Sequence, residues 1–198
     1  MKPILFNAEM VRAILEGRKT VTRRAAKKFP DTKGLRIYKT ACGEFYVEVN
    51  GMPTDFQLHP PCVPGDTLYV RETWAEWEGG YTYKADSSPS YPHAFVDRWR
   101  PSIHMPQKAA RIFLRVTDVR VERLKEIDGA GAEAEGVIEI NNPMLREDKA
   151  TYDAYGRRMF AAVWEGTVGE SGHALYGWSA NPWVWVIEFE RCERPEVG

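Results

Sequence analysis

The densest chemistry in the 198-residue sequence lies in one short run, Arg18-Lys19-Thr20-Val21-Thr22-Arg23-Arg24, where four cations flank two hydroxyls. It belongs to a wider asymmetry. Residues 1–40 hold 11 Lys/Arg against three acids, or +8, and the other 158 residues carry −9. A local excess of this kind is either a positive field for an anionic partner or a face whose cations pair with acids elsewhere in the fold. Charge alone leaves both open. Other chemistry is sparse. His59 and Cys62 form a lone H-x-x-C with no second half, and Cys42, Cys62 and Cys192 are odd in number and far apart, so neither a metal site nor a disulfide framework is expected. No G-x-x-x-x-G-K-[ST] loop, paired-carboxylate metal signature or G-x-S-x-G elbow is present.

The elements that position this run follow from periodicity. Asn7 caps a helix over about 7–16, with Met10, Val11, Ile14 and Leu15 on one face and Gly17 after it. The β-branched residues of 20–22 then predict an extended segment. One or two strands are expected in 34–50, a Pro/Gly loop near 60–65, and a strand at Thr67–Arg71. Residues 78–106 read as an irregular, aromatic excursion. Arg111 to Val121 alternates as a strand with a bulge near Thr117-Asp118. An Ala-rich helix over 128–136 and an amphipathic helix over 148–165 follow, then a closing strand at Trp183–Phe189 and a frayed tail. Without regular βαβ alternation, the expected class is α+β: one domain over 1–198, a small mixed sheet or barrel with peripheral short helices and insertions around 25–60 and 78–106. No apolar run approaches the roughly 20 residues of a membrane span, and with no disulfide pattern a cytoplasmic location is expected.

Four strings occur in order: Gly17-Arg18-Lys19-Thr20-Val21-Thr22-Arg23-Arg24; Pro64-Gly65-Asp66-Thr67-Leu68-Tyr69-Val70-Arg71-Glu72-Thr73-Trp74; Ala134-Glu135-Gly136-Val137; and Asn181-Pro182-Trp183 through Phe189. Together they resemble the ASCH family, especially its larger phage- and prophage-type members. The resemblance implies a PUA-like β-barrel with a cleft and RNA or a nucleoside as ligand. Some small relatives hydrolyse the amide of N(4)-acetylcytidine, and others have been regarded as ribonucleases. The extra material around 25–60 and 78–106 sets this chain apart from those compact enzymes.

Carried over by position, the family's active residues fall on Lys19, Thr22 and Glu135. A threonine hydroxyl is a poor nucleophile until a neighbour takes its proton. Lysine does so once desolvation or nearby positive charge lowers its pKa, and Arg18, Arg23 and Arg24 supply such charge. Residues i and i+3 of a straight strand face opposite ways, so Lys19 and Thr22 meet only across a turn or bulge. Arg18, Arg23, Arg24 and Glu72 are expected around the cleft. Tyr83 and Trp99, with Tyr81, Tyr91 and Phe95, either stack on a base or pack the excursion. The function expected is an RNA- or nucleoside-binding module; the alternatives are an amidohydrolase on an acylated cytidine and a phage-type accessory module that binds another protein. No cofactor, metal or membrane is implied.

Overall fold

The computed structural model describes residues 1–27, 34–78, 80–87, 96–138 and 144–195. Tyr91 and Phe95 lie outside these, as does part of each expected insertion. In chain order the elements are β1 (Lys2–Leu5), α1 (Ala8–Leu15), β2 (Val21–Ala25), β3 (Leu35–Lys39), β4 (Phe45–Val49), β5 (Met52–Leu58), β6 (Thr67–Arg71), β7 (Trp74–Trp77), β8 (Gly80–Tyr83), β9 (Phe113–Arg123), α2 (Gly129–Ala134), α3 (Met144–Glu147), α4 (Lys149–Thr167), α5 (His173–Tyr176) and β10 (Trp183–Cys192).

Local chemistry explains the boundaries. The Asn7 side chain accepts from the Met10 amide at 2.8 Å and starts α1. Asp128 and Asp148 do the same for α2 and α4. β9 pairs with β10 through a register shift that places Phe189 opposite Val116 and Glu188 opposite Asp118, so Thr117 is the extra residue of a bulge. β10 does not fray after Phe189. It runs on to Cys192, because β9 offers partners as far as Phe113.

The class is α+β. A five-stranded sheet has the order β1-β6-β9-β10-β2, with β1 parallel to β6 and the other pairs antiparallel. A second sheet has the order β3-β4-β5, and β7-β8 is a separate hairpin. Among the described residues no ladder joins β1 to β2, so the large sheet is not closed into a barrel.

β10 is covered on both faces. Trp185, Ile187 and Phe189 pack with α1 and with Leu35, Phe45, Val47 and Leu58 of the second sheet. Val184 and Val186 pack with Phe160 and Trp164 of α4 and with α2. A strand buried on both sides reads as an unbroken apolar run, which is how Trp183–Ile187 reads. β7, β8 and the residues Met105, Ala109 and Ala110 pack over Tyr69 and Phe113 as a third cluster.

Candidate functional site

Lys19 lies between α1 and β2, outside any ladder. Its amide donates to the Ala13 carbonyl at 3.0 Å, and an isolated bridge pairs it with Glu135, the residue that caps the C-terminus of α2. The Thr20 amide donates to the Ala134 carbonyl at 2.8 Å and fixes the register. Gly136 makes this approach possible. Its φ is +71°, and a Cβ there would stand 2.8 Å from the Ala13 Cβ and 3.0 Å from the Lys19 Cβ.

The Lys19 ammonium is buried, at 3% exposure. Nζ donates to Glu135 Oε2 at 2.6 Å, to the Glu135 carbonyl at 2.9 Å and to the Val21 carbonyl at 2.7 Å. The last of these marks the open side of β2. The Phe189 amide bonds the Thr20 carbonyl, and the Ala26 amide bonds the Trp183 carbonyl. Within β2 the backbone groups of Thr22 and Arg24 therefore turn to β10, and those of Val21, Arg23 and Ala25 turn to the free edge.

Side chains from both faces of β2 reach that edge. Thr22 stands opposite Ile187 and Arg24 opposite Trp185, while Arg23 stands opposite Val186 on the α4 side. Lys19, Thr22, Arg23, Arg24 and Glu135 line one cavity of about 300 Å³, closed by Leu5, Phe6, Met10, Phe160 and Trp164. Lys19 and Thr22 share it because Lys19 precedes the regular strand. The opposed faces of an i, i+3 pair never arise. Thr22 and Glu135 are each 4% exposed, and the Thr22 hydroxyl has no hydrogen-bond partner among the described residues.

The electrostatics are set by burial. Glu135 Oε1 accepts from Arg23 at 3.3 Å, and Arg23 also reaches Glu122 at 3.1 Å. Burial pushes the Lys19 pKa below its ordinary value against the pull of Glu135, and the charges of Arg24 and Arg23 push the same way. Arg24 donates to the Leu5 carbonyl at 2.7 Å and lies over the Phe6 ring. Burial lowers its pKa as well. Three other cations of the basic segment meet acids from elsewhere: Lys2 with Asp66, Lys39 with Asp118, Arg23 with Glu122 and Glu135. Part of the charge asymmetry is thus resolved inside the fold.

Four residues expected at the cleft are not brought to this cavity. Arg18 turns outward to Glu16 and to the Gly136 carbonyl. Glu72, at 1% exposure, binds Arg111 through Oε1 at 2.9 Å and Oε2 at 3.1 Å. Tyr83 lies 3.9 Å beneath the Arg111 guanidinium and donates its hydroxyl to the Ala109 carbonyl. Asp86 holds Arg111 from the other side at 2.8 and 2.9 Å. This cluster ties the excursion to the sheet, which explains why Glu72 and Tyr83 face inward. Trp99 is half-buried on the same excursion. The sequence reading did not single out Phe6, Phe160 and Trp164 as walls. Phe160 and Trp164 were legible only as one face of an amphipathic helix, and nothing local says what that face covers.

No group of three or more His, Cys, Asp or Glu is clustered to hold an ion among the described residues. No described helix is long and apolar enough to cross a membrane. Compared with known proteins, the chain matches no family model, no curated protein and no solved structure.

Proposed function

We propose that the chain is an ASCH-type protein with a PUA-like architecture, and that its cleft binds a nucleoside and hydrolyses the amide of an acylated cytidine base. One observation carries this reading: a buried Lys19–Glu135 pair beside a partnerless Thr22 hydroxyl in a single cavity. The two edges of the large sheet, β1 and β2, both contribute to that cavity through Leu5, Thr22 and Arg24.

The resting geometry sets the order of events. Three acceptors around Nζ use every proton of an ammonium. Lys19 becomes a base by passing one proton to Glu135, 2.6 Å away, a neutralisation that low-dielectric surroundings favour. The free amine then takes the Thr22 proton, and Thr22 Oγ1 attacks the amide carbonyl. The C–N bond breaks and the exocyclic amine leaves with the Lys19 proton. Water cleaves the threonyl ester, returning the hydroxyl and releasing the carboxylic acid. In a variant with the same residues, Lys19 activates a water and Thr22 positions the carbonyl.

A second reading, a nucleoside- or RNA-binding module without hydrolysis, draws on those same three acceptors, because they describe a charged lysine that holds the loop in place. Incubation with N(4)-acetylcytidine separates the two. Acetate release is expected, and Thr22→Ala, Glu135→Gln and Lys19→Arg should each abolish it while the folded protein persists; guanidinium stays protonated and cannot serve as the base. Nucleoside binding with no acetate from the unaltered protein removes the enzyme reading and leaves the binding module.

A further inference from the structure

A second cavity, of about 510 Å³, lies on the same gap between β1 and β2. Ile4, Leu58, Leu68, Trp185 and Ile187 form its apolar walls. Phe56 of β5 stands at its rim, 52% exposed. Leu5 and Arg24 line both this chamber and the cavity of Lys19, so the two are neighbours across one guanidinium. Each reaches the volume range of about 300–1,000 Å³ in which small-molecule sites fall.

Arg24 is the informative residue. It is half-buried, and among the described residues no carboxylate is in direct contact with it, Glu135 acting on it only through space; its one hydrogen bond goes to the Leu5 carbonyl, which takes up only part of its fork. A guanidinium has five donors, and a desolvated cation without a counter-charge is costly. Lys27, exposed at the rim of the second chamber, likewise has no carboxylate partner among the described residues. By contrast Arg23, one residue away, is neutralised twice. The cleft therefore presents two chambers with a guanidinium between them that has no direct carboxylate partner and most of its donors unused.

We propose that the cleft takes two consecutive nucleotides of a single strand. The base that is acted on sits at Lys19, Thr22 and Glu135, the phosphodiester that follows it lies on Arg24, and the neighbouring base enters the second chamber against Phe56. This rests on the nucleoside reading above and makes a short single strand, not the free nucleoside, the preferred ligand. Phosphate suits Arg24, because a planar fork binds tetrahedral oxyanions in a bidentate way. An aromatic ring at a rim supplies sequence-tolerant stacking.

Equilibrium binding to the intact protein tests this without any need for hydrolysis. The probes are cytidine, cytidine 3′-monophosphate and dinucleotides with cytidine on the 5′ side. The dinucleotides should bind about tenfold or more tighter than either smaller probe, the gain expected of one added stacked base. Their affinity should fall with salt at a slope about 0.7 steeper than that of cytidine, the mark of one neutralised phosphate on a single strand. Arg24→Gln should remove the extra slope. Phe56→Ala, with its melting temperature measured alongside to show that the fold persists, should bring the dinucleotide-to-monophosphate ratio close to one. Equal affinity for dinucleotide and monophosphate, or a ratio unmoved by Phe56→Ala, overturns the two-nucleotide cleft while the nucleoside reading stands. No binding of any probe, cytidine included, removes both.

Discussion

A buried lysine that touches a carboxylate is ambiguous between structure and catalysis, and its energetics separate the two. Removing one member of a buried pair leaves the other uncompensated, at a cost of about 3–5 kcal/mol. Lys19→Met should therefore lower stability by that order, since only Arg23 would then face Glu135. Lys19→Met combined with Glu135→Leu should recover part of the loss, as apolar replacement of a whole pair often does. Chemical denaturation of the two singles and the double measures this; additive losses would mean that the contact is not coupled. The pH dependence follows from the lowered Lys19 pKa. Between the folded pKa and the ordinary value near 10.5, the unfolded chain binds more protons than the folded one, so the lysine's contribution to stability rises with pH across that window. Acetate release should rise over the same window as the amine deprotonates. The slope of stability against pH should be flatter in Lys19→Met, and an activity profile flat up to pH 10.5 would sink Lys19 as the base.

At the scale of elements, the site depends on how closely α2 and α1 approach the start of β2. Gly136 sets that distance. A Cβ there clashes with both Ala13 and Lys19, and the positive φ adds strain for any other residue. Gly136→Ala should cost about 1–3 kcal/mol and displace Glu135 from Lys19, so that acetate release falls more steeply than the melting temperature. A Gly136→Ala protein of unchanged stability and activity would show that the junction yields easily. The second chamber carries its own probe. Burial raises the Cys62 thiol to about 11, with Asp66 adding to the shift, so at pH 8 alkylation should label exposed Cys42 well before Cys62. Mass spectrometry of a timed reaction reads this directly; simultaneous labelling would mean that the chamber wall opens.

For the molecule as a whole, the excursion from β7 to Ala110 is anchored by a charged clamp and an aromatic cluster. Glu72 sits in the interior with Arg111 as its counter-ion, and burial raises its pKa against that pull. Arg111→Ala leaves this carboxylate unpaired and strips the cation from the Tyr83 face. A loss of about 3–5 kcal/mol is expected, with the ligand affinity of the surviving folded protein unchanged, because neither residue lines the Lys19 cavity. Urea unfolding beside a binding titration checks both halves. A large loss of affinity at full stability would instead place the clamp in recognition.

The sequence by itself determined the local features. Asn7 announced its helix because a side-chain oxygen three residues before a free amide is a local arrangement. The bulge at Thr117 showed as a break in alternation, and β10 as a closing strand at Trp183–Phe189. The α+β class followed from the order of these patterns. β5 escaped notice because Pro53 and the polar residues around it weaken a strand pattern, and β1 because four residues are too few for a period. Only the tertiary structure decided which candidates share a site. Lys19 and Glu135 are 116 positions apart, and it is the bridge across α2 and the missing side chain of Gly136 that join them. Glu72 and Tyr83 were equally plausible by type, but Arg111, from a third segment, drew them into the interior. Charge behaved in the same way: the basic run was visible at once, but which cation lacks a counter-ion depended on acids brought in from residues 66, 118, 122 and 135. Spacing along the chain fixes what lies within one turn or one strand, whereas neutralisation and burial are set by contacts between segments that no local pattern encodes.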